Sequence, residues 1–123
     1  MNRSRALALI LIVVSVACRE QRDIAKEPAL KDNLTSIRRA IGNFRKDNGR
    51  YPYSLDELVP NYIRRIPADP MTGSKTWRPV TEDTVQPSSD FTTGTAAAPR
   101  SVIIDVQSAA PGADANGVLY SNY

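Results

Sequence analysis

Leu30-Lys31-Asp32-Asn33-Leu34-Thr35-Ser36-Ile37-Arg38-Arg39-Ala40-Ile41-Gly42-Asn43-Phe44-Arg45-Lys46-Asp47-Asn48-Gly49-Arg50-Tyr51-Pro52 is the stretch that decides the fold. Leu30, Leu34, Ile37, Ile41 and Phe44 recur at spacings of 4, 3, 4 and 3, which lays them in one apolar stripe along a helix. Lys31, Arg38, Arg39, Arg45 and Lys46 fall on its other faces. Asn48-Gly49 is the expected stop, because glycine tolerates the left-handed backbone that ends helices. Upstream, Pro28 suits the first helical position, where its missing N–H is not needed. Burying each stripe residue contributes about 1.5–3 kcal/mol before conformational entropy is charged. The stripe must therefore face something, and only downstream segments can supply it.

Downstream, Arg50 to Tyr53 reads as extended. Ser54, with Glu57 three residues on and Tyr53 and Leu58 at the staple positions, predicts a capped short helix that Pro60 ends. Ile66-Pro67-Ala68-Asp69-Pro70-Met71-Thr72-Gly73 cannot be helix or central strand, because two prolines stand three apart; it reads as a rigid, turn-rich crossing. Trp77–Val80 and Ser101–Gln107 read as strands, with a flexible loop of small and polar residues between them at 81–100. Asn116-Gly117 then turns the chain into a last strand at Val118–Tyr120. The fold class is α+β: one long helix packed on a small antiparallel sheet of about three strands.

Upstream, Arg3 and Arg5 precede Ala6–Ala17, an apolar run broken only by Ser15 and closed by Cys18. Twelve helical residues rise about 18 Å against a hydrocarbon core of roughly 30 Å. The run is short for a permanent span and suits a signal peptide or short anchor over 1–17. Small residues at Ser15 and Ala17 suit signal peptidase, and Cys18, the single cysteine, also suits acylation as a bacterial lipoprotein. Residues 18–28 then form a tether and 29–123 the head domain. Either processing route places the chain in the bacterial envelope, membrane-anchored and facing the periplasm or exterior.

Charge divides along the chain. The whole carries 16 Lys+Arg and 13 Asp+Glu. Residues 19–78 hold 13 basic and 8 acidic groups, or +5; residues 79–123 hold Arg100 against Glu82, Asp83, Asp90, Asp105 and Asp114, or −4. The basic helix face, Arg38, Arg39, Arg45 and Lys46, is a candidate partner surface for the acidic end of another copy or protein. A phosphate-tracking role is disfavoured by sparse aromatic interleaving and a near-neutral mature charge, so no nucleic acid is expected. Tyr51, Tyr53, Tyr62, Trp77, Tyr120 and Tyr123 read chiefly as cover for a small core. The absence of histidine removes the commonest acid–base group, and no nucleophile or phosphate-loop motif stands in its place. The chain reads as a non-enzyme.

In this order, the Asp47-Asn48-Gly49-Arg50-Tyr51-Pro52 helix end, the Leu55–Leu58 helix, Ile66-Pro67-Ala68-Asp69-Pro70, Trp77 and the Asp105-Val106-Gln107-Ser108 … Gly117 … Tyr120 segment resemble the major pseudopilin of type II secretion systems, the general secretion pathway protein G family. The resemblance covers about residues 30–123. It implies a pilin-like head that works by protein–protein contact with other pseudopilins or secretion-machine proteins in type II secretion or a type IV pilus-like system. Family members bind calcium in the loop before the last strand. The matching residues here are Asp105, Ser108, Asp114 and Asn116, although Asp114-Ala115-Asn116-Gly117 alone also makes a plain turn. The amino-terminal part departs from the family: no Gly precedes the apolar run, no Glu lies within it, and the run is short. That predicts a head presented on a lipoprotein-like anchor, outside the usual filament packing. The alternative reading is an envelope lipoprotein that uses a pilin-like domain for ligand or surface binding, outside secretion.

Overall fold

The computed structural model describes the backbone of residues 3–84 and 100–123, and within these the side chains from Ile24 onward. The chain is α+β. Helix α1 spans Arg3–Asn48, strand β1 Arg78–Thr84 and strand β2 Arg100–Gln107, with short 3-10 turns at Leu55–Leu58 and Tyr120–Asn122. The stripe is where the spacing places it: Leu30, Leu34, Ile37, Ile41 and Phe44, with Ala40, are all buried. They meet Leu58, Trp77, Ile103, Val106, Ala110 and Tyr120 in one core. Tyr51, Tyr62 and Tyr123 lie half-buried against it, as cover.

α1 does not begin at Pro28. It runs from Arg3 straight through it, so residues 18–28, expected as a tether, are helical. Proline removes one helical hydrogen bond and crowds the preceding turn. Here its ring sits on the exposed side of a 46-residue helix, flanked by regular turns on both sides. Asn48 closes the helix as expected: its Nδ2 donates to the Phe44 carbonyl and to the Tyr62 hydroxyl, both at 2.9 Å, and Gly49 takes a positive φ of 69°.

Among the described residues the sheet has two strands, not three. β1 and β2 pair antiparallel, from Arg78 opposite Gln107 to Thr84 opposite Arg100, with an irregularity between Val80 and Thr81. The slip leaves Ile104 as the extra residue, while Val102 and Ile103 stay in regular register and face opposite sides: Ile103 joins the core, and Val102 is buried outside that cluster. The strands also reach further than expected, to Thr84 and back to Arg100; the remainder of the expected 81–100 loop, 85–99, lies outside the described residues. On its other edge β2 takes one bond from the extended segment after α1, Ile103 N–H to the Pro52 carbonyl at 2.7 Å. The expected third strand is reduced to a single bridge, Ala113 to Leu119. Beyond it Tyr120 turns inward, its N–H on the Gly112 carbonyl and its ring buried, and the chain closes in a 3-10 turn.

The Ser54 capping box also resolves differently. Ser54 makes no side-chain cap bond. Glu57 reaches back to the Tyr53 N–H at 2.7 Å and pairs with Arg50 at 2.8 Å, while its own N–H, which the serine side chain was expected to accept, goes to the Ser54 carbonyl at 3.3 Å.

Candidate functional site

Three junctions hold the head together, and each uses residues far apart in sequence. In the first, the Pro67–Ser74 turn is bolted to both layers. Asn33 of α1 donates to the Ala68 carbonyl at 2.9 Å, and the Trp77 indole N–H donates to the Pro67 carbonyl at 2.9 Å. Asp69 is fully buried: Oδ1 accepts the Met71 N–H at 2.8 Å, and Oδ2 accepts the Ser108 hydroxyl at 2.6 Å. Ser108, also fully buried, accepts the Ala110 N–H in return. Gly73 closes the turn at φ 73°, its N–H on the Asp69 carbonyl.

The second junction centres on Arg38. Its Nε donates to Asp105 Oδ1 at 2.7 Å, and one terminal nitrogen reaches the main-chain oxygens of Val106 at 3.1 Å and Tyr123 at 2.6 Å. Tyr123 in turn stacks on Tyr120, lies under Lys31 Nζ at 4.8 Å and donates its hydroxyl to Asp114. The third junction lies at the far end of α1. Arg45 stacks on Tyr51, and the Arg50 guanidinium sits between the rings of Phe44 and Tyr53, at 5.1 and 4.4 Å. Arg100, at the start of β2, approaches the same Tyr53 ring at 5.7 Å.

Electrostatics follow these contacts. Partial burial pushes the Glu57 carboxyl upward, but the Arg50 hydrogen bond and charge and the Tyr53 and Ser54 N–H groups outweigh it, so its pKa lies below the ordinary 4.5. The Tyr123 hydroxyl, then the Val118 and Asn116 N–H groups, hold Asp114 below 3.8 against a smaller opposing push from burial. The same bond to Asp114, with burial next, raises the Tyr123 phenol from 10.0 to about 12.

The residues expected to ligate calcium are divided among three places. Asp105 faces Arg38 and its own Val106 N–H. Ser108 is buried against Asp69. Asp114 and Asn116 share one tight turn, where Asp114 Oδ1 accepts the Asn116 and Val118 N–H groups, both at 2.8 Å. Among the described residues no group of three acidic, cysteine or histidine side chains gathers as a metal ion requires. This donor set, with one carboxylate in the turn, does not fit the six to eight oxygens calcium takes.

The basic helix face also divides. Arg38 and Arg45 are committed within the chain. Arg39 and Lys46 are exposed and have no side-chain partner among the described residues. The basic helix meets the acidic carboxy-terminal half inside one molecule, through Arg38 and Asp105, which lie 67 residues apart. Cys18 lies within α1, and its side chain is outside the described residues. No helix of the described residues is long and apolar enough to cross a membrane. Sequence reasoning missed the Asp69–Ser108 pair and the three-acceptor role of Arg38. The one local signal was an aspartate set between two prolines, in a turn that closes on itself. No protein-family model, curated protein or solved structure matches this chain.

Proposed function

We propose that this chain is a non-catalytic component or accessory of a bacterial type II secretion or type IV pilus-like machine, acting through protein–protein contacts on the periplasmic side of the envelope. The observation that supports this most directly is where the resembling segments fall. Gly49-Arg50-Tyr51-Pro52 and Pro67-Ala68-Asp69-Pro70 lie in two of the three junctions that hold the head together: Pro52 to β2, Arg50 to Glu57, Ala68 to Asn33 and Asp69 to Ser108. Shared words placed at joints define a head shape, and a head of that shape leaves the outward helix face for a partner. Arg39 and Lys46 are the cations on that face not used internally.

The test is capture of the full chain from cells by a tag, with the captured proteins identified by mass spectrometry. Pseudopilins or the secretion platform protein should accompany it, and Arg39→Glu with Lys46→Glu should reduce them without shifting the melting temperature. Recovery with envelope polymers and no secretion protein would favour the lipoprotein alternative. Intact mass of the same sample reads the anchor separately, by showing whether residues 1–17 are kept and whether Cys18 carries acyl groups.

A further inference from the structure

The described head exposes only three large apolar side chains, Ile24, Val118 and Leu119, between 43% and 50% exposed, and the contacts of neighbouring residues bring their two segments to the same end of the head. Glu27 and Lys31 of α1 both touch the carboxy-terminal aromatic pair: the Tyr120 hydroxyl lies 3.5 Å from Glu27, and Lys31 covers the Tyr123 ring. Ile24, Glu27 and Lys31 stand three and four residues apart, so they share one side of the helix. Ile24 therefore continues the row that receives Tyr120 and Tyr123, one turn nearer the amino terminus, while Leu119 and Val118 directly precede Tyr120 in the chain.

That end is also the one from which the apolar run 6–17 continues, within the same unbroken helix. From Ala17 to Ile24 is seven residues, about 10 Å of helix. Twelve apolar residues cannot stand upright across a bilayer. A helix too short to span can settle along the interface, where its apolar side sits about 5–10 Å into the headgroup boundary. Inclination toward the 113–119 loop lowers Ile24, Val118 and Leu119 together to that depth. Charge does not drive the contact: residues 19–27 hold Arg19, Arg22 and Lys26 against Glu20, Asp23 and Glu27.

We propose that this apolar edge, Ile24 with Val118 and Leu119, rests on the lipid surface and fixes the orientation of the head on the membrane. The proposal rests on the reading of residues 1–18 as a membrane anchor. The test uses the full chain in phosphatidylcholine vesicles, with Leu119→Trp and, separately, Val118→Trp as reporters and acyl-brominated phosphatidylcholine as a contact quencher. Trp77, only 5% exposed, is the internal control. The chain should float with the vesicles, and the introduced indole should lose emission in brominated lipid at low and high salt alike, while wild-type emission stays constant. Flotation without quenching in both variants overturns the lipid contact and leaves the anchor standing. Flotation without quenching, together with concentration-dependent dimers, assigns the edge to a second copy. A chain that stays with the soluble fraction removes the anchor, and the proposal with it.

Discussion

Replacing Asp69 with Ala leaves the fully buried Ser108 hydroxyl and the part-buried Met71 N–H without their acceptor. An abandoned buried polar group costs about 1–3 kcal/mol, so the joint should lose roughly 2 kcal/mol or more, a sizeable part of the 5–15 kcal/mol a small domain has. Asp69→Asn keeps the shape and one acceptor and should cost less. Urea midpoints of the two variants check this; a loss below about 0.5 kcal/mol for Asp69→Ala, as at an ordinary surface site, would defeat the claim. The rigid, turn-rich crossing was legible in sequence, from Pro67 and Pro70. Its buried partner was not, because Ser108 lies 39 residues away and nothing local marks it. Titration is a second consequence at this scale. Asp114 and Glu57 have folded pKa values below their ordinary 3.8 and 4.5, so their ionised forms favour the fold. That stability is full above those ordinary values and is lost as pH falls through the lower folded ones. Tyr123 runs the other way: its pKa is raised to about 12, so its contribution is full below 10 and fades as pH climbs toward 12. Melting temperature against pH should therefore fall at both extremes, and Asp114→Asn should flatten both limbs.

Pro79 shows what an element must do to end a sheet. The Ile103 N–H turns away from β1 to Pro52, so Thr81, its cross-strand partner, also points its N–H outward. Pro79 lies two residues away and faces the same open edge, where its missing donor costs the ladder nothing and denies a docking strand one bond. Glu82 and Asp83 add charge to that edge. Pro79→Thr should leave the fold intact and raise self-association, read by light scattering at high concentration; scattering equal to wild type would count against the edge-blocking role. At this scale the apolar stripe, the Asn48-Gly49 stop and both strands were legible, because each rests on local period or a local backbone need. Two expectations failed for non-local reasons. A proline at 28 weighs one missing bond against many turns on either side, and those turns prevail. The last strand yields to Tyr120, whose ring buries against the core, with its hydroxyl directed toward Glu27, and leads the chain off the sheet after one bridge.

Across the whole molecule, the described core begins at Leu30 and ends at Tyr120, while α1 begins at Arg3. The long helix thus has two parts with different duties. Residues 30–44 are welded into the head, and the turns before Leu30 project from it, touching the head through Glu27. A chain of residues 24–123 should therefore fold with the melting temperature of the full protein. A chain starting at Arg38 loses Leu30, Leu34 and Ile37, three fully or almost fully buried side chains. At about 1.5–3 kcal/mol each, roughly 5–9 kcal/mol of burial disappears, which matches or exceeds what a small domain can spare. That chain should show no cooperative transition. Near-ultraviolet circular dichroism of Trp77, which is buried against this helix in the fold, reports both cases. A lowered transition in the 24–123 chain would mean that the projecting turns carry packing of their own, and the division of the helix into a welded part and a free part would have to be given up.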